Sequence, residues 1–331
     1  MTTVQSAPGA PHAVVSRFAA LLEQPEFRDE LHHLSSDEWG WGTPREVRLH
    51  PLKAHRGRCT FEVAVRTERG WHAVIAKVHT DDRSDVFRTM AAVRDAGFGP
   101  RAECSIPEPL RYLPSLHVLL EEKVPGTQAT EIFLHGAPHE RAAAAERCAR
   151  WVTQFHAMAP HQPSGPAIAD ELLLSQAWRD QLASLGEPFA AQSALLFQQV
   201  EAAVPVPGAS VCCAGHGSFI PEHVLLSPGR TAVIDLDECG SADPARDVAW
   251  FSVALQRLAL KYLGALHALD EFVARFSQTY AACHGVPPSV PFYRALECFH
   301  RAWRDVYKRI PPAPQWAATM LSEGLRVVAK P

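Results

Sequence analysis

The stretch AGHGSFIPEHVLL, residues 214–226, together with VIDLDECGSADPARDVAWF, residues 233–251, decides the fold of this chain. Short apolar runs alternate here with turn residues, and SPGR at 227–230 separates two of the runs. This pattern predicts a compact loop followed by a hairpin. Helical periodicity on both sides predicts that the hairpin is set into a mainly helical region.

The first 125 residues have a different pattern from the rest of the chain. Alternating apolar and polar residues at 45–52, 59–67 and 71–79 predict three strands, and helical spacing predicts helices at 13–35 and 85–97. Two further strands are expected at 103–114 and 116–124, before Pro125 and Gly126 break the pattern. Helical patterns then recur from about residue 138 to residue 310.

This order of elements predicts an α+β fold with two lobes, a small β-rich N-lobe and a larger helical C-lobe. We expect a flexible leader at 1–12, the N-lobe at 13–122 and the C-lobe at 123–331. Ligands would bind between the two lobes.

Composition excludes several classes of protein. Among 331 residues, 47% are hydrophobic and 21% are charged, which is typical of a globular protein. The net charge of −4 and the absence of a Lys/Arg run argue against a nucleic-acid partner. No apolar run approaches the ~20 residues of a membrane span, and the N-terminus lacks an apolar signal core, so we expect a cytoplasmic protein. The eight cysteines form no C-x-x-C pair and are expected to be reduced thiols.

Four segments resemble the protein-kinase-like fold and, more narrowly, the aminoglycoside phosphotransferase family. They are VIAKVH (74–79), LLEEKVPG (119–126), HGSFIPEHVLL (216–226) and VIDLDECGSADPARDVAWF (233–251). The last one matches the family's I-D-x-D followed by D-P-x-x-D-[LV]-A. The resemblance covers roughly residues 45–255 and implies an ATP- or GTP-dependent enzyme that moves a γ-phosphoryl group to a hydroxyl.

Lys77 is the expected phosphate-binding lysine. It lies inside an apolar strand, where an ammonium group costs free energy unless it reaches a partner. The resemblance assigns the matching lysine to the α- and β-phosphates of the nucleotide. It also implies a Glu partner on the following helix, but residues 85–97 contain no Glu, and Asp85 is the nearest acid.

Other residues of the N-lobe are expected to contact the nucleotide. Arg56 and Arg58 flank the single Gly57 of the loop between the first two strands, and their guanidinium groups can bind phosphate oxygens. An ordinary basic turn exposed to solvent is an equally good interpretation of this loop. The resemblance makes the backbone of Glu121, Glu122 and Lys123 the connector that pairs with a purine edge, whereas the alternative is an ordinary strand ending at a turn.

Carboxylates after the apolar run at 231–234 are expected to bind Mg²⁺ or Mn²⁺. Asp235 is the main candidate, and Asp237 is a second carboxylate expected on the same strand face. Asp243 and Asp247 are predicted to be structural, with Asp243 capping a helix and Asp247 anchoring the loop around His216.

Two residues of the loop depart from the family pattern. Ser218 stands where the resemblance implies an Asp, as in a branch with HGS in place of HGD, and a serine hydroxyl cannot act as a carboxylate base. His223 stands where an Asn ligand of the metal is implied. Its nitrogen is a poorer ligand for Mg²⁺ than for Mn²⁺.

Two functions follow. The chain is either a phosphotransferase or a pseudokinase, which acts as a nucleotide-binding or structural partner protein. In the phosphotransferase, Ser218 occupies the catalytic position of the loop, and the general base is either lost or supplied by Glu222, His223 or Asp237. Residues 255–331 hold few acids and several bases, which argues against a polycationic aminoglycoside as acceptor. The hydroxyl of a small molecule or of a peptide Ser/Thr remains, the latter in natural-product biosynthesis and with a partner protein.

Overall fold

A computed structural model describes residues 2–4, 12–55, 57–161, 167–206 and 212–329, without the side chains of residues 2–4 and 12. Contacts divide the chain into two compact units. Unit 1 comprises Met1–Arg101 and Ile106–Pro125, and unit 2 comprises Ala102–Ser105 and Gly126–Pro331. The predicted leader at 1–12 lies largely outside the described residues. The predicted boundary between residues 122 and 123 stays a prediction.

The first 125 residues contain seven strands and three helices within the described ranges. In chain order they are β1 (Thr2–Val4), α1 (His12–Leu22), α2 (Pro25–His33), β2 (Glu46–Ala54), β3 (Arg58–Thr67), β4 (Gly70–His79), α3 (Ser84–Val93), β5 (Cys104–Ser105), β6 (Pro109–Leu113) and β7 (Val118–Glu122). All except β5 belong to unit 1.

Unit 1 is built on a sheet of six strands in the order β1-β2-β3-β4-β7-β6. Only β1 runs parallel to its neighbour, and the other strands are antiparallel. Inward side chains such as Phe61 and Val63 of β3 pack with Phe18 and Leu22 of α1, and all four are nearly fully buried. The alternation of apolar and polar residues in the sequence therefore predicts which face of the sheet is covered by α1.

Two sequence predictions for unit 1 need correction. The helix expected at 13–35 is two helices, because Pro25 cannot continue α1 and instead begins α2. The strand expected at 103–114 is two strands in different sheets, β5 in unit 2 and β6 in unit 1. The helix expected at 85–97 is confirmed: α3 continues into a π-helical turn, Arg94–Phe98, in which Gly97 has φ 108°.

Unit 2 contains eight helices and five further strands among its described residues. They are β8 (Thr127–Gln128), α4 (Ala129–His135), α5 (Pro138–Met158), α6 (Ile168–Ala183), α7 (Phe189–Ala202), β9 (Cys213–Gly215), β10 (Val224–Ser227), β11 (Arg230–Val233), β12 (Gly240–Ala242), α8 (Ala245–Leu263), α9 (Asp270–His284), α10 (Val290–Tyr307) and α11 (Pro314–Val328). The helices α4 and α11 were not anticipated from the sequence.

The predicted hairpin is confirmed. Strands β10 and β11 pair antiparallel, with Ser227 opposite Arg230, and Gly229 in the two-residue turn has φ 72°. They form a four-stranded sheet in the order β5-β11-β10-β8, while β9 and β12 form a separate pair. The helices α6, α7, α8, α10 and α11 enclose the apolar core of unit 2. A sheet-rich unit and a mainly helical unit together confirm the α+β prediction.

The cysteines are free thiols, as expected, although only Cys59, Cys104, Cys148 and Cys298 are buried. Within the described ranges, no helix is both long and apolar enough to cross a membrane.

Candidate active site

The loop that follows β9 is held by Asp247, from the first turn of α8. Its Oδ2 accepts a hydrogen bond from the backbone N–H of His216 at 2.7 Å, and its Oδ1 accepts one from Gly217 at 3.1 Å. These bonds confirm the prediction that Asp247 anchors the loop. Phe219 anchors it further, because its buried ring stacks on Trp151 and Phe251.

Asp247 is a buried carboxylate whose charge is maintained by its partners. His156 Nε2 lies 3.1 Å from Asp247 Oδ2, and His156 Nδ1 lies 2.9 Å from the hydroxyl of Tyr280. Burial by itself raises the pKa of Asp247, but the hydrogen bond and charge of His156, together with His216, hold that pKa below its ordinary value. The loop therefore rests on an ionised carboxylate.

Gly217 cannot be replaced without moving the loop. It has φ 77°, and a Cβ built on it would lie 2.2 Å from the carbonyl oxygen of Glu238. Only glycine tolerates both this conformation and this close approach. Steric constraints therefore explain why glycine follows His216 in this loop.

The hydrogen bonds of His216 define its tautomer. Its Nε2 lies 3.1 Å from the carbonyl oxygen of Ile234, which can only accept, so Nε2 carries the hydrogen. Its Nδ1 is therefore an acceptor, which receives a hydrogen bond from the backbone N–H of Ser218 at 3.3 Å and has the Ser218 hydroxyl at 3.4 Å. The Ser218 oxygen has lone pairs that can accept a hydrogen bond from another hydroxyl.

His223 and Asp235 come together at the end of the hairpin. His223 Nδ1 lies 2.9 Å from the carbonyl oxygen of Ser218 and so carries the hydrogen of the ring. The other ring nitrogen, Nε2, faces Asp235 Oδ2 at 3.4 Å. Two electron-pair donors approach each other in this way when a proton or a metal cation lies between them. The pair therefore fits a divalent cation.

Asp235 occupies a strained backbone position, with φ 69° and ψ 56°. Non-glycine residues in this left-handed region are uncommon and concentrate at functional sites. Strand β11 ends at Val233, and Asp237 lies in the 3₁₀ turn Leu236–Glu238. The expectation that Asp235 and Asp237 share a strand face is therefore wrong.

Glu222 is exposed and lies at the edge of a cavity in unit 2. It belongs to the 3₁₀ turn Pro221–His223 between Ser218 and β10, and its side chain is exposed. There it lines a cavity together with residues of α8 and α10.

Lys77 in unit 1 has a carboxylate partner that the sequence did not reveal. Its Nζ lies 3.1 Å from Glu121 Oε2, and both residues are almost fully buried. Asp85, the nearest acid on the following helix, is exposed and pairs instead with Arg83 at 3.2 Å. Glu121 lies on β7, next to β4 in the sheet, with Ile75 opposite it. Glu121 lies 44 residues after Lys77, so local sequence patterns do not predict this contact. The apolar surroundings of Lys77 in the sequence indicated only that the lysine needs a partner.

The register of the sheet places Arg58 on the same face as Lys77. Lys77 lies opposite Thr60, and Arg58 opposite His79, so the alternation of side chains directs Arg58 and Lys77 to one face. Arg56, the other loop arginine, lies outside the described residues. In the connector, Glu122 Oε2 accepts a hydrogen bond from the backbone of Glu108 at 3.1 Å, and Lys123 pairs with Glu62 at 2.8 Å.

The model of the phosphotransferase enzyme family known as APH matches residues 52–289 of the chain. The chain belongs to this family. Comparison with curated proteins gives no match for this phosphotransferase-family chain.

Solved structures of low sequence identity share the fold of this phosphotransferase-family chain. A candidate aminoglycoside phosphotransferase from Ralstonia eutropha JMP134 is 15% identical, with a TM-score of 0.64 over 91% of this chain and 98% of that one. A choline/ethanolamine kinase family protein from Mesorhizobium loti is 16% identical, with a TM-score of 0.57 over 96% and 95%. The ternary complex of streptomycin, ATP and APH(2″)-IIa is 11% identical, with a TM-score of 0.54 over 96% and 97%. These likenesses confirm the kinase-like fold.

Proposed function

We propose that this chain transfers the γ-phosphoryl group of ATP, or of GTP, to a hydroxyl of a small molecule or a peptide. Membership of the phosphotransferase family supports the reaction class. The observation that carries the proposal is the approach of His223 Nε2 to Asp235 Oδ2, at the end of the loop that Asp247 anchors. ATP as donor is supported by APH(2″)-IIa, a relative in fold that was solved with ATP and streptomycin.

The proposed reaction needs one bond to form and one to break. The acceptor oxygen bonds to the γ-phosphorus while the bond from that phosphorus to the β–γ bridging oxygen breaks, and the nucleoside diphosphate leaves. The hydroxyl proton passes to a base. Because the transition state is loose, positioning and charge neutralisation supply most of the acceleration, which makes a serine at position 218 tolerable.

The residues named above would have separate roles in this reaction. Lys77, oriented by Glu121, and Arg58 on the same sheet face would bind phosphate oxygens, and the connector at residues 121–123 would pair with the purine. Ser218 would accept a hydrogen bond from the acceptor hydroxyl. Glu222, an exposed carboxylate in the same loop, would take the proton, with Asp237 as the alternative base.

Asp235 and His223 are the residues that would hold the metal ion. The described residues contain no group of three or more His, Cys, Asp or Glu side chains that could hold a metal. When bound, Mg²⁺ or Mn²⁺ neutralises charge on the transferred group. The nitrogen of His223 favours Mn²⁺.

A pseudokinase is the second candidate, and the Ser218 hydroxyl is the observation that favours it. Residue 218 is a serine, so the loop has no carboxylate at this position to accept the proton of an attacking hydroxyl. Under this alternative the chain binds nucleotide, or only a partner protein, and transfers nothing.

One experiment separates the two functions. Thermal unfolding is measured with ATP and either Mg²⁺ or Mn²⁺, beside ATP turnover, for the wild type, Asp235→Ala and the control Glu238→Ala in the same turn. At a nucleotide concentration 100 times Kd we expect about 2.7 kcal/mol of stabilisation, abolished in Asp235→Ala only. Absence of a shift with either metal contradicts nucleotide binding.

Turnover then decides between the enzyme and the pseudokinase. A shift without turnover, even with several acceptors, favours the pseudokinase. In the double variant Ser218→Asp/His223→Asn, which restores the family residues, we expect faster turnover and a preference for Mg²⁺ over Mn²⁺.

A further inference from the structure

A cavity of about 300 Å³ in unit 2 carries a strong positive charge. Helices α8 and α10 line it, together with Glu222 of the loop. Six of its lining residues are cationic and two are acidic, so the lining has a positive excess of four charges. The cationic residues are Arg257, Lys261, Arg301, Arg304, Lys308 and Arg309. This charge contrasts with the net charge of −4 of the whole chain.

Buried carboxylates neutralise only two of these cations. Asp305, which is itself in the lining, accepts a hydrogen bond from Arg257 Nε at 3.0 Å. Glu297, a buried residue behind the cavity, accepts one from Arg301 Nε at 2.5 Å. Both acids are therefore already engaged by arginines, and Glu297 also pairs with His300 at 3.1 Å.

The other four cations have no carboxylate partner within ion-pair distance among the described residues. Lys261 Nζ donates to the Tyr262 hydroxyl at 2.6 Å, and Lys308 and Arg309 lie over the rings of Trp303 and Trp316. Arg304 makes no side-chain hydrogen bond to the part of the chain that is described. Burial and, to a lesser extent, Arg301 lower the pKa of Arg304 and outweigh the opposing effect of Glu297 and Asp305.

Unpaired cations around one small cavity favour an anion within it. Guanidinium groups present forked donors that match carboxylate and phosphate oxygens, and hydrogen bonds between ionised groups are stronger than neutral ones. The volume is at the lower end of the range for small-molecule sites. It admits one anionic group and its immediate neighbours rather than a large ligand.

The position of Glu222 connects this cavity with the transfer reaction. Glu222 lies on the cavity wall, four residues after Ser218 and next to His223 in the same short turn. We propose that the cavity binds a carboxylate or phosphate group of the acceptor and so places the acceptor hydroxyl beside Ser218. This inference rests on the proposed phosphotransferase function and names its substrate class, an anionic alcohol rather than a polycation.

The anionic group could belong to a small hydroxy acid or sugar phosphate, or to an acidic residue beside the Ser of a peptide. Phosphoryl transfer from ATP would be measured for both kinds of acceptor, each paired with a neutral analogue of the same shape, and for one aminoglycoside. We expect kcat/KM to be higher for the anionic member of at least one pair. Equal or better transfer to the neutral and cationic acceptors would overturn the proposal.

A second experiment reverses the charge of two cationic residues of the cavity. In Arg304→Glu/Lys308→Glu we expect KM for the anionic acceptor to rise about tenfold or more, as loss of a charge-assisted hydrogen bond implies. The KM for ATP should not change. The control is Arg275→Glu, an exposed arginine of α9 outside the cavity lining. If the reversal destabilises the fold, the milder Arg304→Gln/Lys308→Gln replaces it.

Binding of inorganic phosphate without ATP separates this inference from the proposed function. We expect phosphate to raise the unfolding temperature of the wild type and of Arg275→Glu, but not of the cavity variant. If phosphate binds in this way while no acceptor is phosphorylated, the anion site is supported and the transfer activity is contradicted. If phosphate stabilises the cavity variant as much as the wild type, the anion site is wrong whatever the activity.

Discussion

At the scale of single residues, Lys77 and Glu121 place opposite charges inside unit 1 at 3.1 Å. Taking two ions out of water costs free energy, which their attraction offsets only while both are present. We expect Glu121→Gln to lower the free energy of unfolding by about 3 kcal/mol and to weaken nucleotide binding. Urea denaturation and nucleotide-induced thermal shift measure the two effects.

Two further variants test whether the effect comes from the buried charge. Lys77→Met/Glu121→Leu should recover most of the stability without recovering nucleotide binding. Lys123→Gln, which breaks the half-exposed pair with Glu62, should cost less than about 1 kcal/mol. Equal losses at Glu121 and Lys123 would contradict the role of the buried pair.

A second residue-scale prediction concerns the base. If Glu222 accepts the proton, Glu222→Gln should lower kcat by about 10²-fold to 10⁴-fold, because a general base supplies an acceleration of that size. The KM for ATP should stay close to that of the wild type. Initial rates under acceptor saturation measure the effect. If kcat falls this much in Asp237→Asn but is unchanged in Glu222→Gln, the base is Asp237 rather than Glu222.

At the scale of elements, Asp247 joins α8 to the loop after β9, and its pKa predicts how that junction responds to acid. Because the folded pKa is lowered, the ionised carboxylate stabilises the fold at pH values above about 4. This contribution is lost as the pH falls through the lowered folded pKa. We expect Asp247→Asn to cost about 3 kcal/mol at pH 7, and the difference from the wild type to shrink at lower pH.

Urea denaturation at several pH values between neutral and strongly acidic measures this difference. The matched control is Asp270→Asn, because the Asp270 side chain is 43% exposed and pairs with His267. It should cost less than about 1 kcal/mol at every pH. A difference between Asp247→Asn and the wild type that does not depend on pH would contradict an ionised Asp247.

The elements were largely predictable from the sequence, whereas contacts between distant elements were not. Alternation gave β2, β3 and β4 to within two residues, because one face of the sheet is covered by helices and the pattern of burial is local. Pairing of Lys77 with Glu121 depends on the order of strands in the sheet, which local periodicity does not contain. The basic cavity likewise needs α8 and α10, which begin at Ala245 and Val290, to lie side by side.

At the scale of the molecule, the chain has a net charge of −4 while one cavity has an excess of four positive charges. An anionic acceptor is attracted by that cavity, and salt screens the attraction. We expect kcat/KM for the anionic acceptor to fall as NaCl rises from about 20 to about 500 mM, since the Debye length shortens severalfold. The value for its neutral analogue should change little.

Initial rates at several salt concentrations measure this dependence, and the variant Arg304→Glu/Lys308→Glu is the control. Its kcat/KM for the anionic acceptor should depend less on salt than that of the wild type. A parallel decline for both acceptors would indicate a general effect of salt on the enzyme rather than screening in the cavity.

The partner of Lys77 lies on a strand, and this has a consequence for regulation. In protein kinases the carboxylate partner of the lysine comes from a helix, and the position of that helix controls activity. Here the partner is built into β7, which backbone hydrogen bonds join to β4 over five residue pairs. A rigid movement of α3 therefore leaves the pair intact. We therefore expect the Lys77–Glu121 pair to be formed in every folded molecule and not to be switched by a displacement of α3.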